Sequence, residues 1–266
     1  MIDRMYSTLI TNAVNQNPRQ TRNALARSYF GHHMVVDSLA KGYFPALLGR
    51  KLFLNGIIGE LAAFLDEPGS VKEFQQHGCN YWNDFGDEHG MLNLDYGNAW
   101  RNFGGVDQLD AVVESLKADP HGRRHLITGW NPVRLPELTL PCCHYSYQWY
   151  VNDRSELEMI WNQRSVDIMV GLPSDIILAA VWNILMAQTV GLKPGRLHFM
   201  LGDCHVYESH LEGVDQYLAQ AAEVQLDRPR PTWTLDEDAT VFNFEPSMLQ
   251  VVNYQPSMPI KFKLEV

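Results

Sequence analysis

The chain has 266 residues, 45% of them hydrophobic and 20% charged, with a formal net charge of −10. Such a length and composition allow one large core and exclude a disordered or fibrous chain. The negative balance excludes nonspecific nucleic-acid binding, which depends on Lys and Arg neutralising phosphates, so an anionic substrate must be met by a local arginine cluster. Ile2, Met5, Leu9, Ile10 and Ala13 recur at helical spacing and predict a helix over 2–16. Asn17 to Arg27 reads as a basic loop carrying Arg19, Arg22 and Arg27. A strand follows over Ser28 to Val36, then a helix over Leu52 to Leu65 that buries Ile57, Ile58, Leu61, Ala62 and Leu65. Glu60 falls inside that apolar helix. A place on the polar side is one reading; the other is burial, which raises a carboxyl pKa into the range useful for proton transfer.

Tyr81-Trp82-Asn83-Asp84-Phe85 and Asp95-Tyr96-Gly97 concentrate aromatics that serve either a core or a ligand. Val106 to Lys117 is an amphipathic helix. His121-Gly122-Arg123-Arg124-His125 is a basic turn before a strand over Leu126 to Trp130. Tyr145 to Val151 and Leu157 to Gln163 predict an antiparallel pair. Residues 174–190 form an apolar helix with Ser174 and Asp175 at its start, where short polar residues act as caps. Arg196 to Leu201 is a strand, Tyr207 to Ala222 a helix, and Val251 to Val266 an aperiodic closing segment. The absence of repeats and linkers points to one domain over 1–266. Cys79, Cys142, Cys143 and Cys204 show neither disulfide density nor metal spacing, so no metal is expected. With no leader and no run long enough to span a bilayer, the expectation is a cytoplasmic chain without a membrane partner.

Chemistry concentrates in Leu140-Pro141-Cys142-Cys143-His144, Asn162 to Asp167 and Gly171 to Ile176. Cys-His alone suits either a nucleophilic thiol or a buried structural pair. The ordered set Pro141-(Cys142)-Cys143-His144, Gln163-Arg164-Ser165-x-Asp167-x-x-x-Gly171-Leu172-Pro173 and Gly202-Asp203-x-His205-x-Tyr207 resembles the thymidylate synthase family from about Phe30 to the C-terminus. Cys142 is inserted in the usual Pro-Cys step. After Gly-Leu-Pro-x this chain has Asp175 where thymidylate synthases carry Asn, as the phage deoxycytidylate hydroxymethylases do.

The resemblance implies an α/β (α+β) fold, a mixed kinked sheet backed by helices, that dimerises sheet to sheet. It implies a nucleophile at Cys143, a proton relay at Glu60, and Tyr96 near the thiol. His144, Gln163 and Ser165 would order the base and its surroundings. The nucleotide phosphate would meet Arg22 (or Arg19), Arg164, and the partner chain's Arg123 and Arg124. His205 and Tyr207 would hold the sugar hydroxyl. Trp82, Phe85, Asp167, Val170 and Gly171 would line the site of 5,10-methylenetetrahydrofolate, the implied one-carbon donor. Asp175, as base reader, favours dCMP over dUMP, because an ionised carboxylate only accepts hydrogen bonds. Deoxycytidylate hydroxymethylation is the expected activity, without direct nucleic-acid binding. Deoxycytidylate methylation, thymidylate synthesis and a catalytically inactive nucleotide-binding regulator are the alternatives.

Overall fold

The computed structural model describes residues 2–224 and 228–265. In chain order the elements are α1 (Ile2–Val14), β1 (Arg19–Gln20), β2 (Leu25–Val36), α2 (Leu54–Leu65), α3 (Val71–Gln76), α4 (Asn98–Arg101) and α5 (Gln108–Ala118). They continue with β3 (Leu126–Thr128), β4 (His144–Val151), β5 (Glu156–Asp167), α6 (Gly171–Thr189), β6 (Lys193–Tyr207), α7 (Leu211–Ala222), β7 (Thr232–Leu235) and β8 (Leu249–Val252). Among the described residues these strands form a six-stranded sheet in the order β1-β2-β6-β5-β4-β3 and a two-stranded pair, β7-β8.

The large sheet is mixed. β5 and β6 run parallel, joined by α6 as the crossover a parallel pair requires, while β2–β6, β4–β5 and β3–β4 are antiparallel. Register slips between His144 and Ser146 and between Leu157 and Met159, and such irregularities bend strands. The first bend falls one residue after Cys143. Alternation gives the sheet two unlike faces. Leu157, Met159 and Trp161 of β5, with Leu197, Phe199 and Leu201 of β6, are buried in the core. Arg196, His198 and Met200 alternate with them towards the open face, where Phe30 is 82% exposed.

α2 and α6 are apolar nearly all round, the pattern of helices enclosed by other elements. By length and composition α6 could cross a bilayer, but it is mostly buried, packed against β5, β6 and α2. It also starts earlier than expected, at Gly171. Pro173 does not break it, because a first-turn N–H has no helical acceptor to lose. Ser174 and Asp175 are therefore inside the helix and not caps. The acceptor at its start is Asp167, whose Oδ1 takes the Met169 and Val170 N–H groups at 2.9 and 3.0 Å.

Strand β6 runs on through Tyr207, and a 3-10 turn over Glu208–His210 then leads into α7 at Leu211. Pairing with β2 keeps Tyr207 in the strand. Gly202 sits opposite Arg164, and a Cβ at that position would lie 2.7 Å from the Arg164 carbonyl oxygen. The segment read as a basic loop is a hairpin, with β1 pairing the start of β2. The closing segment contributes β8 and then runs without regular structure; its last residue, Val266, lies outside the described residues.

Candidate active site

The bend before β4 divides the two adjacent cysteines. Cys142 is buried, with Sγ 3.7 Å from the Gly129 carbonyl oxygen, and burial pushes its thiol up. Cys143 is partly exposed, and its amide N–H donates to Tyr96 Oη. Tyr96 reaches this spot because Gly97 follows it at φ +70°, with a Cβ-forbidding approach to the α2 backbone at Phe64. Arg164 pins the same turn, donating to the carbonyls of Cys142 at 2.8 Å and Pro141 at 3.0 Å while its guanidinium lies over the Trp130 ring. Burial raises the Cys143 pKa and outweighs the opposing pull of Arg164. The arginine does not by itself hold the thiol ionised.

His144 turns away from solvent. Its Nδ1 is 2.6 Å from Tyr147 Oη, its Nε2 lies 3.9 Å from Asp175 Oδ1, and its ring packs against Tyr96 and Trp161. Burial lowers its pKa to about 3, so it is neutral near pH 7 and supplies no cation to the thiol. The Cys-His dipeptide is thus not a thiolate–imidazolium pair.

Two carboxyls face this chemistry from different helices. Glu60 of α2 is buried, and its Oε1 accepts from Trp82 Nε1 at 2.8 Å. Its pKa rises to about 8, chiefly through burial and further through the nearby Asp175 charge. Asp175, on α6, takes the Gln163 Nε2 hydrogen on Oδ2 at 2.7 Å. Burial lifts its pKa to about 7 against that hydrogen bond, helped by Asp167. Near neutral pH the site therefore retains protons on carboxyls, a state suited to proton transfer.

Around this centre the other sequence candidates divide. His205 and Tyr207 close the end of β6, with Asn23 donating to Tyr207 Oη at 3.4 Å. Burial lowers the His205 pKa, but hydrogen bonding to Asp203 and nearby carboxylate charge outweigh it and raise the value. Arg19 is committed to an ion pair with Asp203 and a 3.0 Å bond to Ser28, whereas Arg22 is exposed at the β1–β2 hairpin tip. Ser165 lies in β5 opposite Asp203. Arg123 and Arg124 are exposed on the turn before edge strand β3, and His125 bonds to Trp149 far along β4. Six residues of strand separate Trp149 from Cys143, about 20 Å at ~3.3 Å per residue.

Of the expected cofactor contacts, Trp82 and Phe85 pack together, whereas Val170 and Gly171 lie at the start of α6. Trp82 is fixed by its bond to Glu60 and by stacking on Phe74, and half-buried Phe85 tilts against it at 5.4 Å. Asp167 spends Oδ1 on the α6 start. Sequence reasoning did not single out Trp161 or Tyr147, although they align Gln163 and His144, and it gave Asp203 no role beyond its place in the motif. The two-residue alternation from Trp161 to Gln163 was the available signal. Among the described residues, no group of three or more His, Cys, Asp or Glu gathers to hold a metal ion.

A mixed α/β fold that presents one partly exposed thiol beside proton-holding carboxyls defines a small-molecule enzyme built for covalent chemistry. The chain belongs to the thymidylate synthase family: the family model described as Thymidylate synthase matches residues 3–266. It is accordingly a folate-dependent one-carbon transferase acting at C5 of a pyrimidine nucleotide, with nucleotide and 5,10-methylenetetrahydrofolate as substrates.

Proposed function

We propose that this chain, acting as one catalytic domain in a homodimer, converts dCMP, 5,10-methylenetetrahydrofolate and water to 5-hydroxymethyl-dCMP and tetrahydrofolate. The observation that carries the reading is the buried Asp175 carboxyl, held on Oδ2 by Gln163. Its acceptor oxygen matches the cytosine 4-amino group and opposes the uracil O4, and a proton between the carboxyl and N3 completes the cytosine pair. A buried mismatch of this kind separates substrates by roughly 10⁴.

The residues divide the work as follows. Cys143 adds through sulfur to C6 of the base, making C5 a carbon nucleophile; once the one-carbon unit is on C5, loss of the C5 proton releases tetrahydrofolate and leaves an exocyclic methylene, and addition of water there expels the Cys143 thiolate and restores the 5,6 double bond. Arg22 and Arg164 meet the phosphate, and bidentate guanidinium contacts suit it. Arg123 and Arg124 stand too far along β4 to serve Cys143 of their own chain, which supports a role in the partner's site. The open sheet face, with exposed Phe30 and Met200, is the apolar surface on which the second chain would pack. Glu60 relays protons and orders water near the base. When bound, the folate supplies the one-carbon unit and, on the methyl-forming route, the hydride as well.

Water rather than hydride completes the product in this reading. Phe85, Val170 and Ser174 replace the larger Trp, Leu and Phe usual in thymidylate synthases, and all three are half-buried. A smaller, more polar wall admits water. The test is to assay dCMP, CMP and dUMP with methylenetetrahydrofolate, weighing the nucleotide product by mass spectrometry while following dihydrofolate optically. Hydroxymethyl-dCMP without dihydrofolate is expected; stoichiometric dihydrofolate with 5-methyl-dCMP would refute hydroxymethylation and leave the cytosine assignment standing.

A further inference from the structure

We infer that Trp161 is a positioning residue that dictates which oxygen of Asp175 can carry a proton, and so keeps the preference for cytosine when Asp175 is neutral. The inference rests on the dCMP reading above. It addresses a weakness in that reading: a neutral carboxylic acid both donates and accepts, and if free to choose its protonated oxygen it could pair with uracil as well as cytosine.

The relay runs along one face of β5. Trp161 and Gln163 are two residues apart, so their side chains emerge on the same side of the strand. Trp161 Nε1, which can only donate, gives its hydrogen to Gln163 Oε1 at 3.0 Å. That contact orients the amide. Gln163 Nε2 then donates to Asp175 Oδ2 at 2.7 Å and to the Ser165 carbonyl at 3.1 Å. Flipping the amide would set its NH2 against the indole N–H and its oxygen against that carbonyl.

Because Oδ2 always receives this N–H, a proton there would weaken a buried hydrogen bond, and the proton belongs on Oδ1. Oδ2 stays an acceptor in both states. Placed at position 4 of the base, it is matched by the amino group of cytosine and opposed by the O4 of uracil. Oδ1 meets N3: neutral Asp175 donates its Oδ1 proton to cytosine N3, whereas ionised Asp175 has no proton to place there and leaves two acceptors facing each other. Glu60 of α2, Asp167 at the end of β5, and Cys143, His144 and Tyr147 at β4 also face Asp175. These groups govern how readily the proton arrives. None of them holds the Gln163 amide, so none selects the oxygen.

The test compares kcat/KM for dCMP and dUMP from about pH 6 to about pH 9, a range that spans the carboxyl titration. In the intact enzyme the dCMP/dUMP ratio should be highest at the acid end, where Asp175 is neutral with its proton on Oδ1. In Trp161→Phe, which keeps an aromatic ring and removes the N–H, the acid-end ratio should fall about tenfold below that of the intact enzyme, with little change at the alkaline end. A merely structural role would lower both activities without changing their ratio. If Trp161→Phe does not fold, Gln163→Met removes the amide that donates to Asp175 Oδ2 and should show the same acid-end loss. An acid-end ratio in the folded variant equal to that of the intact enzyme overturns the inference. Failure of the dCMP reading looks different: the intact enzyme would consume dUMP and not dCMP at every pH.

Discussion

Glu60, His144 and Asp175 are buried, each with a polar neighbour already in place, and burial displaces the pKa of all three. Arg22, Arg123 and Arg124 are exposed on turns at the margin. The interior was desolvated when the chain folded, so its dipoles and protons are set before substrate arrives, as electrostatic preorganisation requires. Exposed guanidiniums stay hydrated until an anion reaches them, which suits capture and steering more than chemistry. In the proposed reaction the interior carries turnover and base choice, and the margin carries phosphate affinity and assembly.

The strongest way to break the contrast is at the thiol. Cys143→Ser should reduce turnover to background, while Cys142→Ser, at a buried Sγ facing Gly129, should retain most of it. Steady-state rates decide this, and the reverse outcome would move the nucleophile by one residue. Next in size is Asp175→Asn, which should shift preference from dCMP towards dUMP by roughly 10⁴ in relative kcat/KM. An unchanged ratio would leave Asp175 without a part in reading the base.

Two smaller effects sharpen the comparison. A Cys143→Ser chain mixed with an Arg124→Ala chain should recover up to about a quarter of the sites, since half the dimers are mixed and one of their two sites is whole. Mixed dimers as inactive as their parents would mean that each margin serves its own interior. The least effect is on stability. The folded state holds protons on Glu60 and Asp175 that the unfolded chain releases near pH 4, so stability is full below that range and declines as pH rises through about 7 and 8. Glu60→Gln should flatten this decline by a few kcal/mol, at about 1.4 kcal/mol per pKa unit, measured as urea midpoints across pH. An equally steep profile in the variant would mean Glu60 is ionised in the fold.

Much of this organisation is legible along the chain because it is local. The spacing of Ile57, Ile58, Leu61 and Leu65 fixes a buried helix, and β-rich runs fix β4 and β5, because side-chain period reports secondary structure directly. Boundaries were less legible where a partner decides them. The helix read over 174–190 starts earlier, because Pro173 in the first turn of α6 costs no hydrogen bond. The helix read from Tyr207 starts after it, because pairing with β2 carries β6 through Tyr207.

The sequence by itself determined the reactive residue types, their order and most of the elements that carry them, since these depend on neighbours within a few positions. Only the tertiary structure decided how they act. It separates Cys142 from Cys143 by turning one Sγ into the core, and it keeps His144 neutral by burying it. It also commits Arg19 to Asp203, and it aligns Trp161, Gln163 and Asp175 across a strand and a helix. The physical reason is that burial and hydrogen-bond direction are set by side chains far apart in the chain, and these quantities fix protonation and polarity in a site.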